Sequence, residues 1–391
     1  SLLLLVLWLL YLPECLLWVN RHSVVFTSPW SRGWSATTAS DALGSGSASL
    51  RLLNPLPPLG RFFKADLLPV SISPVRVASF NAQTISPAGR PKQAGGTIAI
   101  DEIHRVSVHD SEILINGHSF AKVGSRALRT SFAALLDELR ARPEAGREKL
   151  IERFWQSQFD LEQARAALAE AGRRSATLAA ACNAQFLLIY IVLPVLSVLK
   201  GLNYVIIPGA IVMEVMAIQI AVIHFLAHRC LFPRSTTDRV TQVVKMILCA
   251  PLGIRAVDAL TTPVAGRFHI LTIAAALDPF PGKTDFLGRV LRDLRHPIGL
   301  GSMNELLAET CRWQNAMIER VAARALPDVG ALVPTLGAPP PRLEPGCRCH
   351  CPRCHAQLLI AAETCPDCLG VRMIPVAAAE TQPAEATTHG R

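Results

Sequence analysis

Four cysteines near the C-terminus have the spacing of a metal site. Cys351-Pro-Arg-Cys354 and Cys365-Pro-Asp-Cys368 are two C-x-x-C pairs with ten residues between them. A tight turn of this kind places two sulfurs on one side of a metal ion. Two such turns complete the tetrahedron of soft ligands that zinc prefers. Cys347, Cys349 and His350 lie just upstream and offer spare ligands, so the register of the site is open, and one of them could replace Cys351. The competing chemistry is a redox disulfide of the thioredoxin type. It requires a strand–helix context that the surrounding residues do not offer.

The pair of proline-containing turns resembles the small zinc ribbons with rubredoxin-like knuckles. Gln357-Leu-Leu-Ile360 supplies a short strand between them. The resemblance covers about 20 residues. It implies a structural Zn2+ held by Cys351, Cys354, Cys365 and Cys368. There are departures: His355 stands where such knuckles usually carry Gly, and Leu369 precedes Gly370. With all four positions filled by thiolate, the metal is a folding staple and leaves no position for a substrate.

Elsewhere the sequence offers little chemistry. Asp101, Glu102, His104 and Arg105 form the densest charged cluster, but no nucleophile or second carboxylate stands near it, and it reads as a solvated turn. Dinucleotide, phosphate-loop and nucleophile-elbow patterns are missing, so no catalytic residue is assigned and an enzyme is not favoured.

What must position the cysteines is an apolar chain. Half of the 391 residues are hydrophobic and 18% are charged, against roughly a quarter in soluble proteins. Residues 186–199 and 205–227 are apolar, with Lys200 to Tyr204 between them, and they read as a transmembrane hairpin. Residues 2–18 read as a further membrane helix, with Trp18 and Arg21 as anchors. The chain starts at Ser1 inside this run, and residues upstream are expected. Residues 19–185 hold twenty Lys and Arg, residues 229–346 hold fourteen, and the turn at 200–204 holds one. The basic excess places the C-terminus in the cytoplasm and the chain in the cytoplasmic (inner) membrane.

The expected fold is thus a mixed, predominantly α membrane protein with about three transmembrane helices. Its segments run as transmembrane helix 1 (1–20), a cytoplasmic strand-rich α+β domain (21–142), a helical stalk (143–184) and a transmembrane helical hairpin (185–228). A helical, partly membrane-interfacial region (229–326), a Pro-rich linker (327–346), the zinc ribbon (347–374) and a disordered tail (375–391) complete the chain. In the strand-rich domain, alternating apolar residues and Asn116-Gly117 predict antiparallel strands over 97–123. Ser125 caps a helix whose stripe is Leu128, Phe132, Leu135, Leu136 and Leu139. This order resembles the second half of a pleckstrin-homology-like domain, which implies docking to a membrane or partner.

Three further segments bear on function. Glu214 lies inside the second span of the hairpin, with Gln219 and His224 turned about 140° apart in succession. The choice there is an ion relay or helix packing in which Glu214 bonds the first span of the hairpin. Val240–Thr262 is apolar but broken at Pro251, as in an interfacial or re-entrant helix pair. Residues 284–296 form a basic amphipathic helix, with Arg289, Arg292, Arg295 and His296 opposite Phe286, Val290, Leu291 and Leu294. It could lie on anionic headgroups. Membrane lipid is thus the expected partner, with a protein partner of unknown identity. Nucleic acid is not favoured, because the ribbon's basic residues (Arg348, Arg353) have no aromatic beside them.

Overall fold

The computed structural model describes residues 16–19, 23–29, 33–38, 49–52, 60–66, 68–79, 96–109, 112–233, 235–248, 250–297, 305–340, 342–368 and 370–376. The N-terminal half is built of short strands: β1 (Leu16–Val19), β2 (Ser23–Pro29), β3 (Ser35–Thr38), β4 (Ser49–Leu52), β5 (Gly60–Asp66), β6 (Val70–Ile72), β7 (Arg76–Ser79), β8 (Thr97–Ala99), β9 (Val106–His109), β10 (Glu112–Ile115) and β11 (His118–Lys122). They pair antiparallel in the orders β1-β4, β3-β2-β5, β6-β7-β8 and β11-β10-β9. Most of the expected first membrane helix, residues 1–15, lies outside the described residues. Its last part is corrected: Leu16–Val19 is extended and pairs with Ser49–Leu52.

The expected hairpin at Asn116-Gly117 is present. Both residues adopt positive φ, 53° and 84°, which Asn and Gly tolerate and which matches the twist of the flanking strands. The meander has three strands, β9 to β11, and β8 pairs with β7 in the neighbouring sheet. Asn116 also accepts the amides of His104 and Arg105 and donates to the Glu102 carbonyl. The charged cluster at 101–105 is therefore a clamped turn. Asp101 pairs with Arg147, whose buried guanidinium also bonds the carbonyls of Leu139, Arg142 and Pro74.

Helices make up the rest: α1 (Arg126–Arg140), α2 (Glu144–Gln158), α3 (Leu161–Leu187), α4 (Leu193–Lys200), α5 (Leu202–Leu231), α6 (Thr236–Leu248), α7 (Ala256–Ala265), α8 (Ile270–Ala276), α9 (Lys283–Arg295), α10 (Glu305–Ala325) and α11 (Pro327–Leu332). The Ser125 hydroxyl caps α1 by accepting the Leu128 amide. Ser302-Met303-Asn304-Glu305 has the pattern of a capping box; its first three residues lie outside the described set, and α10 begins at Glu305. Between α3 and α4 the helix widens over Leu188–Val192, where the Leu193 amide bonds the Leu188 carbonyl five residues back. Pro194 comes directly after. It has no amide to donate and its ring crowds the preceding turn, a common cause of such a bulge.

One hydrophobic core joins residues that the sequence separates into domains. Val24, Phe26, Ile72 and Ile113 from the strands share it with Leu136, Ile151, Leu291, Met317 and Ile318. Phe26 meets Phe280 and Phe286 edge to face. The strand domain, the stalk and much of the 229–326 region are thus one body. Gln314 of α10 shows why. Its carbonyl oxygen accepts the Ile72 amide at 2.8 Å and its amide donates to the Val70 carbonyl, which completes the open edge of β6 in the buried interior. Gln314→Ala is expected to leave both backbone groups unpaired and to destabilise the body by about 2 kcal/mol, read by denaturant melts.

One more expectation is corrected. The Pro-rich segment is not a linker from its start. Pro327 opens α11, as proline does well at a first helical position, and Leu326, Val329 and Leu336 are buried in the core. The helix expected on headgroups, α9, buries Phe286, Leu287, Val290 and Leu291 in the same core. Its Arg295 makes a forked ion pair with Glu319 of α10. The apolar face of α9 is thus covered by protein, while Arg289 on the other face is exposed.

His269 starts α8 and is fully enclosed, packed on Trp155 and Phe159. Its Nδ1 accepts the Leu271 amide, which requires a neutral ring. Burial pushes its pKa down to about 3. An unfolded histidine takes its proton near pH 6.5. The contribution of His269 is therefore present above about pH 6.5 and is lost as the pH falls toward about 3. His269→Asn, which keeps a capping oxygen, is expected to flatten this acid dependence in melts across the range.

Candidate metal centre

The C-terminal residues fold as three two-residue strands, β12 (Cys349–His350), β13 (Gln357–Leu358) and β14 (Ile374–Pro375), in the order β13-β12-β14. The two C-x-x-C turns emerge from this sheet. In the first, the His355 amide bonds the Cys351 carbonyl and the Cys351 amide bonds the Ala356 carbonyl. In the second, the Val371 amide bonds the Cys368 carbonyl and the Cys365 amide bonds the Val371 carbonyl.

These turns bring the sulfurs of Cys351, Cys354, Cys365 and Cys368 within 4.8 Å of one another. Cys354 Sγ and Cys365 Sγ are 3.7 Å apart, and none of the four is in a disulfide. A disulfide needs about 2.05 Å. Four thiolates at 2.3 Å from a central zinc stand about 3.8 Å from each other, so the spacing fits the metal. Cys351, Cys365 and Cys368 are buried and Cys354 is exposed. Burial raises the thiols of Cys354 and Cys365, so a proton competes with metal at these positions.

Of the upstream candidates, Cys351 is the one whose sulfur joins those of Cys354, Cys365 and Cys368. Cys347 donates its S–H to the Cys349 carbonyl and Cys349 donates to the Ile360 carbonyl. Both are buried, and neither sulfur belongs to the four-sulfur group. His350 is buried and outside the ligand set as well.

The departures from the knuckle pattern have a structural counterpart. His355 has φ 64° and Gly370 has φ 77°. Each turn thus contains one left-handed residue, filled by Gly in the second and by His in the first. A left-handed side chain costs about 1 kcal/mol relative to Gly. His355→Gly is expected to stabilise the ribbon by about that amount, seen as slower zinc loss to a chelator.

The ribbon is not a free module. Arg353, between the first two cysteines, forms an ion pair with Asp293 of α9 at 2.9 Å. Its carbonyl accepts from Arg292 Nε at 3.1 Å. Its guanidinium also lies 3.7 Å from Cys368 Sγ. One side chain thus touches both the body and a metal ligand. Sequence reading places Arg353 only among the ribbon's few basic residues. Its partner stands 60 positions upstream, and no local pattern announces the pairing.

The remaining feature of note is the hairpin. The helical run Glu144–Lys200 and the helix Leu202–Leu231 are each long and apolar enough to cross a membrane. Only 28% and 22% of their apolar windows are buried, so most of this surface has no protein against it. The two segments touch closely: a Cβ on Gly209 would lie 2.8 Å from a Leu193 methyl. Exposed positions include Ile206, Ile207, Ile211, Val215, Val222 and Leu226. The polar side chains Ser175, Gln185, His224 and His228 are buried. Glu214 is half-buried. The expected hydrogen bond from Glu214 to the first span is not formed among the described residues. Gln219 is exposed and His224 buried, so the three polar groups share no face, as their spacing requires.

Compared with protein-family models, with curated proteins and with solved structures, the chain matches none.

Proposed function

We propose that the chain is a multi-pass protein of the cytoplasmic membrane, in which a helical hairpin anchors a single cytoplasmic body and a zinc ribbon is presented as a partner-binding scaffold. The observation that carries the membrane reading is the inverted polarity of the hairpin. Its outer face is mostly Ile, Val and Leu, with Gln219 an exposed polar residue among them, and its histidines and Gln185 are buried. In water the arrangement would be reversed, whereas in lipid every buried polar group must face protein.

The shared core supports the same topology. Residues on both sides of the hairpin pack together, so both must lie on one side of the membrane. A two-span hairpin satisfies this. The basic excess of the flanking residues makes that side the cytoplasm.

In this reading zinc is structural. Bound by Cys351, Cys354, Cys365 and Cys368, it would supply cross-linking of the two knuckles and no reaction. Between those knuckles the ribbon presents Leu359 and Ile360, which are 62% and 71% exposed. A photo-crosslinking amino acid at Leu359 is expected to trap one protein partner in membranes, and to fail when Cys365 is replaced by Ser. An identical yield with the zinc-free ribbon would contradict the scaffold role. The alternative, a transporter or intramembrane enzyme built on Glu214, gains no support from a carboxylate with no partner among the described residues.

A further inference from the structure

The hairpin is not the whole of the apolar surface. On α6, Val240, Val244, Ile247 and Leu248 are exposed by 48%, 46%, 38% and 80%. Their spacing of four, three and one puts them on one stripe of the helix. Opposite this stripe, Met246 is buried with Ile220 and Ala221 of α5.

The path of the chain explains the stripe. After α5 the backbone turns at Phe232–Ser235, where the Arg239 guanidinium donates to the carbonyls of Phe232 and Pro233 and lies over the Phe225 ring. Then α6 runs back along α5, because its start meets Phe225 and its end meets Ile220 and Ala221. A short segment, Ala250–Arg255, reverses the chain into α7, which packs against α3 and α5 and whose last residues, Val264 and Ala265, return to the core of the body beside β5. At the reversal the Cys182 thiol donates to the Gly253 carbonyl at 3.1 Å. A Cβ on Gly253 would lie 2.6 Å from Gln185 Oε1. The tip is thus wedged against the stretch Cys182–Gln185 of α3.

That stretch marks the depth. No Asp, Glu, Lys or Arg occurs between Arg174 and Lys200, so the uncharged run starts below the hairpin boundary expected at 185. Cys182 is eight residues, about 12 Å at 1.5 Å per residue, above the exposed Arg174. One leaflet of hydrocarbon is about 15 Å thick.

We propose that α6 and α7 form a re-entrant pair that enters the membrane from the cytoplasmic side, turns at Gly253 within the inner leaflet and returns, with lipid acyl chains against the Val240–Val244–Ile247–Leu248 stripe. This rests on the membrane reading of the hairpin. The occupant is lipid because the stripe continues the apolar exterior of α5 and carries the same residue types. Non-helical backbone at this depth is tolerated only against protein, and the contacts of Gly253 provide that. The charges near the tip are paired, Arg255 with Asp258 at 3.1 Å. Lys245 sits on the flank and has the stem length to snorkel toward the surface. The pair also has a purpose for the hairpin: it covers the side on which Cys182, Gln185, His224 and His228 are buried.

The test uses the full chain in phosphatidylcholine vesicles, with an environment-sensitive fluorescent amino acid placed in turn at Leu248, Val240, Ile206 and Thr335. Quenching by acyl-chain nitroxides is compared with quenching by iodide in water. The proposal expects Leu248 to behave like Ile206, with iodide quenching severalfold below that at Thr335, and Val240 to fall between. Gly253→Val should displace the tip and raise iodide quenching at Leu248 while Ile206 stays unchanged. Lipid quenching at Ile206 with full iodide quenching at Leu248 would overturn the re-entrant pair and leave the hairpin standing. Iodide quenching at both positions would overturn both.

Discussion

Replacing Cys351 or Cys368 by Ser is expected to abolish zinc binding and unfold the ribbon while the membrane body stays folded. The ribbon has three strands of two residues each and a core made largely of its own cysteines with Val371 and Met373. Such a core cannot offset the conformational entropy of some 25 ordered residues, at roughly 1 kcal/mol or more each. Structural zinc contributes on the order of 10 kcal/mol in small sites, and most of the ribbon's stability must come from it. The body does not depend on it in the same way, because its core draws on strands and helices from residues 24 to 336. Metal analysis of detergent-purified protein, with proteolysis of the tail as the structural readout, checks this. One zinc per chain in the parent, none in either variant and rapid cleavage after Gly346 are the expected results. A reducible disulfide between the same cysteines would mark redox chemistry instead.

The second large effect concerns the hairpin. Ile211 is the tenth of the 30 residues of α5, about 13 Å along it from Leu202 at 1.5 Å per residue, and is 59% exposed. In lipid, Ile211→Arg places a charge at depth and costs about 2.5–3.5 kcal/mol, or some hundredfold in insertion. On a water-exposed helix the same change would be neutral or would improve solubility. The sign of the effect therefore separates the two environments. A drop in membrane-integrated protein with Ile211→Arg, and no drop with Ile211→Leu, is the expected outcome. The fraction that floats with vesicles measures it.

The parts of this architecture that are legible in the sequence are those fixed by local chemistry. Asn116-Gly117 announces a hairpin because few other pairs accept two positive φ angles. Ser125 announces a cap, and the two C-x-x-C turns announce a four-sulfur cluster, although their spacing leaves Cys347, Cys349 and His350 as substitutes for Cys351. The illegible parts depend on contacts across the chain. Gln314 reads as an ordinary polar residue on a helix, and only the edge of β6, more than 240 residues away, gives it a role. Arg353 needs Asp293. The prolines at 327–346 suggest a linker, yet the first of them starts a helix that docks Val329 in the core, because the residues after a proline decide whether it opens a helix or prevents one. The amphipathic pattern of α9 predicts the helix correctly, and its apolar face is covered by the core of the body. Periodicity shows that an apolar face exists and is silent on what covers it.

The most direct test of the membrane reading is alkaline carbonate extraction of membranes from cells expressing the full chain. Retention in the pellet, with release only by detergent, is the predicted result. Release into the alkaline supernatant would mean that the exposed Ile, Val and Leu of the hairpin face a protein partner, and would contradict the account.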